Sequence, residues 1–126
     1  MTQLRYLITK IPSLSLYKVN CIYNMCEIGR LSFTIQNNMT IINNIIVTDR
    51  FRRKGFGSIF VKNIETYTKF QYNCKVIKLT AYQADSNTNV YNFFEKNGYK
   101  MQKQNIINKF DDGKTIFNLQ PYFKII

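Results

Sequence analysis

The chain has 126 residues, and its 18 lysines and arginines against 7 acidic residues give a formal net charge of +11. It contains no histidine, which excludes imidazole-based catalytic triads, imidazole metal sites and imidazole proton shuttles. The length suits a single domain over residues 1–126, and 45% hydrophobic residues are typical of a globular protein rather than a basic disordered tail. The positive balance favours an anionic partner.

The cysteines and the uncharged stretches bear on the protein's surroundings. Cys21, Cys26 and Cys74 form no CxxC pair and no zinc-ligand spacing, so we expect reduced thiols in a cytoplasmic protein and no bound metal. The longest uncharged stretch, residues 31–48, is rich in Asn, Gln and Thr, and we expect no membrane association. No RNP-like, helix-turn-helix or zinc pattern is present, so a nucleic-acid partner is not favoured.

The first half of the chain predicts an antiparallel meander. Apolar and polar residues alternate in short runs that are rich in Ile, Val, Tyr and Phe, which is typical of strands. Asn-rich pairs separate the later runs and predict tight turns at Asn24-Met25 and Asn37-Asn38. The predicted strands are residues 4–11, 16–23, 27–36 and 40–48.

In the second half of the chain the spacing of apolar residues changes. Phe60, Ile64 and Tyr67 recur at helical spacing after Gly57, with Ser58 able to help at the helix start. Residues 75–83 predict a strand and residues 86–97 a second helix, which ends before Gly98 in the left-handed conformation. Strands are predicted at residues 101–110 and 114–119, around an Asp-Gly turn. The order β-β-β-β-α-β-α-β-β indicates an α+β fold.

One segment carries a pattern with chemical meaning, the stretch IIVTDRFRRKGFGS at residues 45–58. A hydrophobic strand runs into a basic turn with glycines, and a helix follows at once. The first N–H groups of a helix lack intrahelical partners and attract anions, and Gly55 and Gly57 let a phosphate approach the backbone. Arg52, Arg53 and Lys54 add positive charge. The segment matches neither the P-loop nor the GxGxxG pattern.

This segment resembles the pyrophosphate loop of the GNAT superfamily of acetyl-CoA-dependent N-acetyltransferases. The matching pattern is Arg52-x-x-Gly55-x-Gly57 between a strand and a helix, with Val47 five residues before Arg52. Residues 87–99, NTNVYNFFEKNGY, are similar to the family's element of an Asn, a helix and Tyr-x-x-x-Gly-Phe. The resemblance covers roughly residues 16–120. It implies a mixed, mostly antiparallel twisted sheet of about seven strands with two main helices and reduced N-terminal helices.

The resemblance also implies a reaction and a cofactor site. An amine would attack the thioester of acetyl-CoA directly, and acetyl-CoA would serve as co-substrate without a metal. The strand ending at Val47 would splay from the strand at 75–83 to admit pantetheine, and the N–H of Ile45 would bind the thioester oxygen. The implied cofactor-binding residues are Ile45, Ile46, Val47, Arg52, Arg53, Lys54, Gly55, Phe56, Gly57, Ser58, Asn87 and Phe94.

The sequence departs from the family pattern at the catalytic acid. Phe94 stands where the family often has the Tyr that protonates the leaving thiolate. Water could donate the proton, Tyr91 could take the role, or the protein could bind acetyl-CoA with little catalysis. No strand offers an obvious general base, and Glu27 is our candidate beside Asp49. The candidate catalytic residues are therefore Tyr91, Ile45 and Glu27.

The acceptor side is shortened as well. Residues 12–15 form the whole connection between the first two strands, where family members usually have two helices. This predicts either an open groove or a pocket completed by a second subunit in a homodimer. The acceptor could be a protein or a small molecule, including an amino-sugar phosphate. The alternative function is a catalytically weak module on the same fold that binds acetyl-CoA or nucleic acid.

Overall fold

The computed structural model describes residues 4–47, 55–84, 89–103, 108–114 and 116–126. These residues form one sheet of eight strands and two α-helices. The strands are β1 (Arg5–Ile11), β2 (Leu16–Tyr23), β3 (Cys26–Gln36), β4 (Met39–Val47), β5 (Val76–Ala84), β6 (Lys100–Met101), β7 (Asn108–Asp111) and β8 (Ile116–Ile125). The helices are α1 (Phe56–Tyr72) and α2 (Asn89–Lys96).

The strand order is β1-β2-β3-β4-β5-β8-β6, and β7 pairs with β8 beside this path. The β4–β5 pair is parallel, and the other pairs are antiparallel. Helix α1 connects β4 to β5, as a parallel pair requires a long crossover. This arrangement confirms the predicted α+β class with a mostly antiparallel sheet and two main helices.

Two predicted turns join the strands of the meander. Asn24 and Met25 both have positive φ, at 51° and 64°, and Asn37 and Asn38 have φ of 50° and 60°. Positive φ at both central residues defines the two-residue turn whose twist matches a hairpin, and asparagine tolerates it well. Local side-chain chemistry therefore sets these two hairpins.

Both helices pack on one face of the sheet, which we call the helix face. Its core joins strand residues such as Phe33 and Ile77 to Phe60 and Ile64 of α1 and Phe94 of α2. The other face, the open face, carries no helix within the described residues. Between β1 and β2 lies a single 3₁₀ turn, Pro12–Leu14, which agrees with the predicted reduction of the N-terminal helices. Neither described helix is long and apolar enough to cross a bilayer.

The helix boundaries differ in detail from the sequence-based expectation. Helix α1 begins at Phe56, with Gly55 as N-cap in the left-handed conformation at φ 83°, so Ser58 lies inside the first turn and does not cap it. Its hydroxyl oxygen instead accepts a hydrogen bond from the side-chain amide of Asn97, at 3.2 Å. At the end of α2, Gly98 has φ 90°, as predicted. Its N–H and that of Tyr99 close the helix on the carbonyls of Glu95 and Phe94.

The C-terminal strands also differ from the prediction. The expected strand at 101–110 is two short strands, β6 and β7, and residues 104–107 lie outside the described part. Strand β8 continues to Ile125, six residues beyond the predicted end at 119. Pro121 does not end the strand, because this residue lies between the part of β8 that pairs with β7 and the part that pairs with β6.

Tyr122 on β8 has no exposed surface, and its hydroxyl has no hydrogen-bond partner among the described residues. Burial, with the charge of Glu95 as a smaller contribution, raises its pKa to about 12. Its ring lies 5.9 Å from that of Phe94 between centroids. The hydroxyl therefore loses its hydration on folding without a replacement bond.

Replacing Tyr122 with phenylalanine is expected to raise the free energy of unfolding by about 1 kcal/mol at pH 7, because an unsatisfied buried hydroxyl is removed. Above pH 10 the unfolded tyrosine ionises while the folded one stays protonated to about pH 12, so the wild type loses stability as pH rises. Between about pH 10 and pH 12, the free energy of unfolding of the variant should fall by about 1.4 kcal/mol per pH unit less than that of the wild type. Urea unfolding at pH 7 and between pH 10 and 11.5 measures both effects; equal slopes would contradict the assigned pKa.

Candidate active site

Strands β4 and β5 separate partway along their length. Their parallel pairing joins Met39–Ile42 to Val76–Leu79 and ends there, although β4 continues to Val47 and β5 to Ala84. Beyond this point, which we call the strand split, the facing edges of the two strands do not pair with each other. Unpaired strand edges present backbone donors and acceptors to an extended ligand. The splay expected from the resemblance is present.

A bulge in β4 lies at the strand split. The register with β3 pairs Ser32 with Asn44 and Phe33 with Ile42, which leaves Asn43 as an extra residue. A bulge bends its strand and increases the local twist, and it turns β4 where its pairing with β5 ends. The side chain of Asn43 is exposed. The bulge thus accompanies the split and places an amide beside it.

A cavity of about 440 Å³ lies at the strand split beside α2. Ile45 of β4 and Phe94 of α2, two residues of the predicted cofactor site, both line it. Phe94 is only 4% exposed and packs against the rings of Phe93, Tyr99 and Tyr122. The full lining is Ile42, Asn43, Ile45, Leu79, Thr80, Ala81, Val90 and Phe94. This helix-side cavity is mostly apolar, with β4 backbone along one wall.

A second cavity, of about 360 Å³, is lined by residues that reach the open face. The strand registers place Ile41, Lys78, Thr80 and Pro121 on that face, and Gln102 follows β6. The two cavities share Ile42, Asn43, Leu79 and Thr80, the residues where β4 and β5 part. Two ligands could therefore approach the same point from opposite sides of the sheet.

The start of α1 offers backbone donors. Its first intrahelical hydrogen bond runs from the Ile59 N–H to the Gly55 carbonyl, at 3.2 Å. Among the described residues no side chain caps this end, and the first turn contains no acidic residue. The N–H groups of Gly57 and Ser58 precede that first bond, so they have no partner within the helix. This end of α1 follows β4 after residues 48–54, which lie outside the described part.

A polar network holds the start of α1 against the end of α2. The Lys124 ammonium donates to Glu65 Oε1 and to the Asn97 carbonyl, both at 2.9 Å. The Tyr99 hydroxyl donates to Glu65 Oε2 at 3.0 Å, and Asn97 in turn reaches Ser58. Burial, with the Glu65 carboxylate second, raises the pKa of Tyr99 well above its ordinary value, so the hydroxyl stays a donor. The network positions the α1 N-terminus.

Replacing Glu65 with alanine is expected to lower the free energy of unfolding by about 2 kcal/mol. The substitution leaves the ammonium of Lys124 without its carboxylate and removes the partner of the buried Tyr99 hydroxyl. Lys124 is 27% exposed in its side chain, so water offsets part of the loss. Urea denaturation of this variant beside Glu95→Ala, which removes an exposed carboxylate from α2, measures the effect. Equal losses in the two variants would show that the network contributes nothing specific.

The proposed catalytic residues lie in different surroundings. Ile45 lines the helix-side cavity. The Tyr91 hydroxyl donates to the carbonyl of Asn118 on β8, at 3.1 Å, and Tyr91 does not line either described cavity. Glu27 lies exposed at the start of β3, where the side chain of Asn20 donates to its carboxylate at 2.9 Å. The assignments of Tyr91 as acid and Glu27 as base stay predictions.

The remaining predicted cofactor residues divide into three groups. Gly55, Phe56, Gly57 and Ser58 form the start of α1. Ile46 and Val47 lie on β4, opposite Arg30 and Gly29 of β3. Arg52, Arg53, Lys54 and Asn87 lie outside the described residues.

Sequence reasoning missed Lys78 and Gln102 as lining residues of the open-face cavity. Lys78 was visible only as one position of a predicted strand, and Gln102 lay inside a predicted strand that the structure divides. No motif marks either residue. Their approach depends on the pairing of β5 and β6 with β8, which short-range patterns do not show.

A sequence model described as the acetyltransferase (GNAT) family matches residues 14–99. That span includes the strand split, the start of α1 and all of α2. No curated protein matches the chain in sequence.

Several solved structures share the fold. An IAA acetyltransferase from Bacillus cereus has a TM-score of 0.75 at 11% identity, covering 98% of this chain and 100% of its own. A GNAT family acetyltransferase from Elizabethkingia anophelis with acetyl-CoA bound has a TM-score of 0.73 at 16% identity, covering 99% and 98%. Spermidine/spermine N-acetyltransferase from Vibrio cholerae has a TM-score of 0.75 at 13% identity, covering 98% and 92%. At these identities the likeness shows the fold alone.

Proposed function

This chain belongs to the acetyltransferase (GNAT) family, and we propose that it transfers an acetyl group from acetyl-CoA to a primary amine in a ternary complex. The observation that carries the proposal is the strand split, with one cavity on each side and four lining residues in common. Such a site lets a donor and an acceptor meet without a covalent intermediate on the protein. Holding two reactants in contact can supply much of the rate enhancement.

The donor fits the helix-side cavity and the start of α1. We assign the pantetheine arm to the unpaired edge of β4, where it would bond to the backbone as an added strand. The pyrophosphate would bind the N–H groups at the start of α1, where no side chain in the described part of the chain acts as a cap. Arg52, Arg53, Lys54 and Asn87 would complete this site, as the family resemblance implies.

The reaction follows from this placement. The amine nitrogen attacks the thioester carbonyl carbon, a C–N bond forms, and the C–S bond breaks. The sulfur leaves as a thiolate and takes a proton, while the attacking nitrogen loses one. The N–H of Ile45 would bind the carbonyl oxygen and stabilise the negative charge that develops there. Ile45 is thus assigned through its backbone, and its apolar side chain lines the donor cavity.

Proton transfer needs two groups, an acid that protonates the thiolate and a base that deprotonates the amine. Phe94 has no hydroxyl and lines the donor cavity, so the thiolate takes its proton from water or from Tyr91 after Tyr91 leaves the Asn118 carbonyl. Glu27 would accept the amine proton through water, because its carboxylate does not line the described part of either cavity. Asn43, at the split, would orient the amine rather than deprotonate it.

Two measurements test the function directly. Acetyl-CoA at saturating concentration should raise the midpoint of thermal unfolding, because it binds the folded state only. Release of free thiol with a panel of peptide, polyamine and amino-sugar phosphate acceptors then reports transfer. A thermal shift with thiol release above the amine-free background supports the proposal. No shift with acetyl-CoA or CoA would contradict it.

The second candidate is an acetyl-CoA-binding protein with little turnover. The specific observation in its favour is the apolar Phe94 beside the donor cavity, where the family often has a catalytic tyrosine. A thermal shift without thiol release for any amine would support this candidate over the enzyme.

A further inference from the structure

We propose that the acceptor is the N-terminal segment of an acidic protein, which lies extended across the open face and presents its α-amine at the open-face cavity. The inference rests on the proposed function, because the segment is bound as the acetyl acceptor. It names the substrate class of that site.

The open face is strongly basic. The strand registers place one set of cations on it, spread from β1 to β6: Arg5, Lys18, Arg30, Lys78 and Lys100. Glu27 is the acidic residue that the described registers place there. The ion pair recorded among the described residues, Lys124–Glu65, involves none of these cations. The open face therefore offers positive charge to an incoming ligand.

The charge at the cavity itself selects among acceptors. Lys78 lines the open-face cavity, and none of its described lining residues carries a carboxylate. A polyamine would bring positive charge against this ammonium, which disfavours binding. An acceptor with a carboxylate beside its amine would place that carboxylate on Lys78 and its amine near Asn43. The cavity thus favours an anionic amine over a cationic one.

The extent of the charge favours a polypeptide over a small molecule. Four strand intervals separate Lys78 on β5 from Arg5 on β1, with Arg30 and Lys18 on the strands between. The registers place Arg5 six positions along β1 from the residue level with Lys78, so about 19 Å across the strands and about 20 Å along them give a diagonal of about 28 Å, the length of about eight residues of extended chain. A sugar phosphate would contact one end of this row. A chain with acidic side chains after its first residue could contact all of it.

The chemistry of the acceptor nitrogen favours an α-amine. An α-amine has a pKa of about 8 and is partly neutral at pH 7, whereas a lysine amine with a pKa of about 10.4 is almost fully protonated. A site without a carboxylate among its described lining residues suits the amine that needs less deprotonation. The exocyclic amines of nucleic-acid bases are weak nucleophiles, since their lone pairs delocalise into the ring. A protein N-terminus thus fits better than RNA.

The test compares peptide acceptors that differ mainly in charge, together with two small amines. Three ten-residue peptides begin with alanine and carry Asp/Glu, Asn/Gln or Arg at positions 2–7, and spermidine and glucosamine 6-phosphate are the small amines. Thiol release gives kcat/KM for each, and fluorescence anisotropy of labelled peptides with CoA present gives affinity. We expect kcat/KM for the acidic peptide to exceed that of the neutral one by about tenfold and to fall as salt increases.

Charge reversal locates the contact. Lys78→Glu should abolish the preference for the acidic peptide, whereas Lys62→Glu, the same change on an exposed position of α1, should leave it unchanged. Lys78→Gln, which keeps the side-chain size, should give an intermediate result. Unchanged thermal shifts with acetyl-CoA would show that both Lys78 variants fold and bind the donor.

The outcomes separate this inference from the function it rests on. Equal rates for acidic and neutral peptides, or a preference for spermidine or glucosamine 6-phosphate, would overturn the inference and uphold the acetyltransferase. A 20-nucleotide RNA that displaces the acidic peptide and binds the protein more tightly than the peptide does would also overturn the inference, with nucleic acid as the occupant. Peptide binding without transfer to any amine would refute the proposed function and with it the acceptor role.

Discussion

Replacing Gly57 with valine is expected to lower the affinity for acetyl-CoA by about a hundredfold without unfolding the protein. Gly57 is the second residue of α1, before the first intrahelical hydrogen bond at Ile59. A pyrophosphate bound there must approach the backbone N–H groups closely, and a β-branched side chain at this position would lie in its path. Isothermal calorimetry with acetyl-CoA measures the loss.

The two glycines of the loop are explained by different physical requirements. Gly55 has φ 83°, which side chains rarely adopt, so its conformation accounts for the glycine. Gly57 lies within a helix, where glycine is less favourable than valine by a few tenths of a kcal/mol. The helical backbone therefore does not require a glycine at 57, and we expect the close approach of a ligand to require it. Valine should keep or slightly raise the stability of α1.

Controls make this result specific. Thr66→Val places the same side chain on an exposed position of the same helix and should leave acetyl-CoA affinity unchanged. Gly57→Ala, with a single methyl group, should give an intermediate loss. Full affinity in the valine variant, with the fold intact by circular dichroism, would place the pyrophosphate elsewhere.

The fold was predictable where short-range signals determine it. Alternation along β2 and β3 and the asparagine turns specify the hairpins locally, and Gly98 ends α2 through its own conformation. The bulge at Asn43 was not predictable, because it exists only in the register between β4 and β3. The Lys124–Glu65 pair joins residues 59 positions apart through the packing of α1 against β8, and no local pattern reports it.

The same division holds for the candidate site. Ile45 and Phe94, which the family motif predicts as cofactor-binding residues, line one cavity, and their role in binding stays a prediction. Lys78 and Gln102 reach the other cavity through strand pairing outside the motif. In the proposed function, the family motif covers the donor side, and the acceptor side depends on this chain's own surface. Its charge, rather than a motif, therefore carries the information about the acceptor.

Replacing Phe94 with tyrosine is expected to raise kcat by about tenfold, with little change in the KM for acetyl-CoA. Phe94 lines the helix-side cavity of about 440 Å³, to which we assigned the thioester of acetyl-CoA, so a hydroxyl on its ring is expected to lie near the leaving sulfur. A positioned acid would then protonate the thiolate in place of water. The expected gain is smaller than is usual for general acid catalysis, because a thiolate is already a tolerable leaving group.

The neighbouring position provides the matched control for this gain. Phe93→Tyr adds the same hydroxyl to the same helix on a half-buried ring that does not line the described part of the cavity, so kcat should stay unchanged. A rise in both variants would point to a general effect on α2. A fall in kcat for Phe94→Tyr with intact acetyl-CoA binding would mean that the ring at 94 serves packing against Tyr99 and Tyr122 and that its para position does not face the sulfur. A rise confined to Phe94→Tyr would place the reacting thioester beside α2 and explain the wild type as an enzyme that relies on water for its acid.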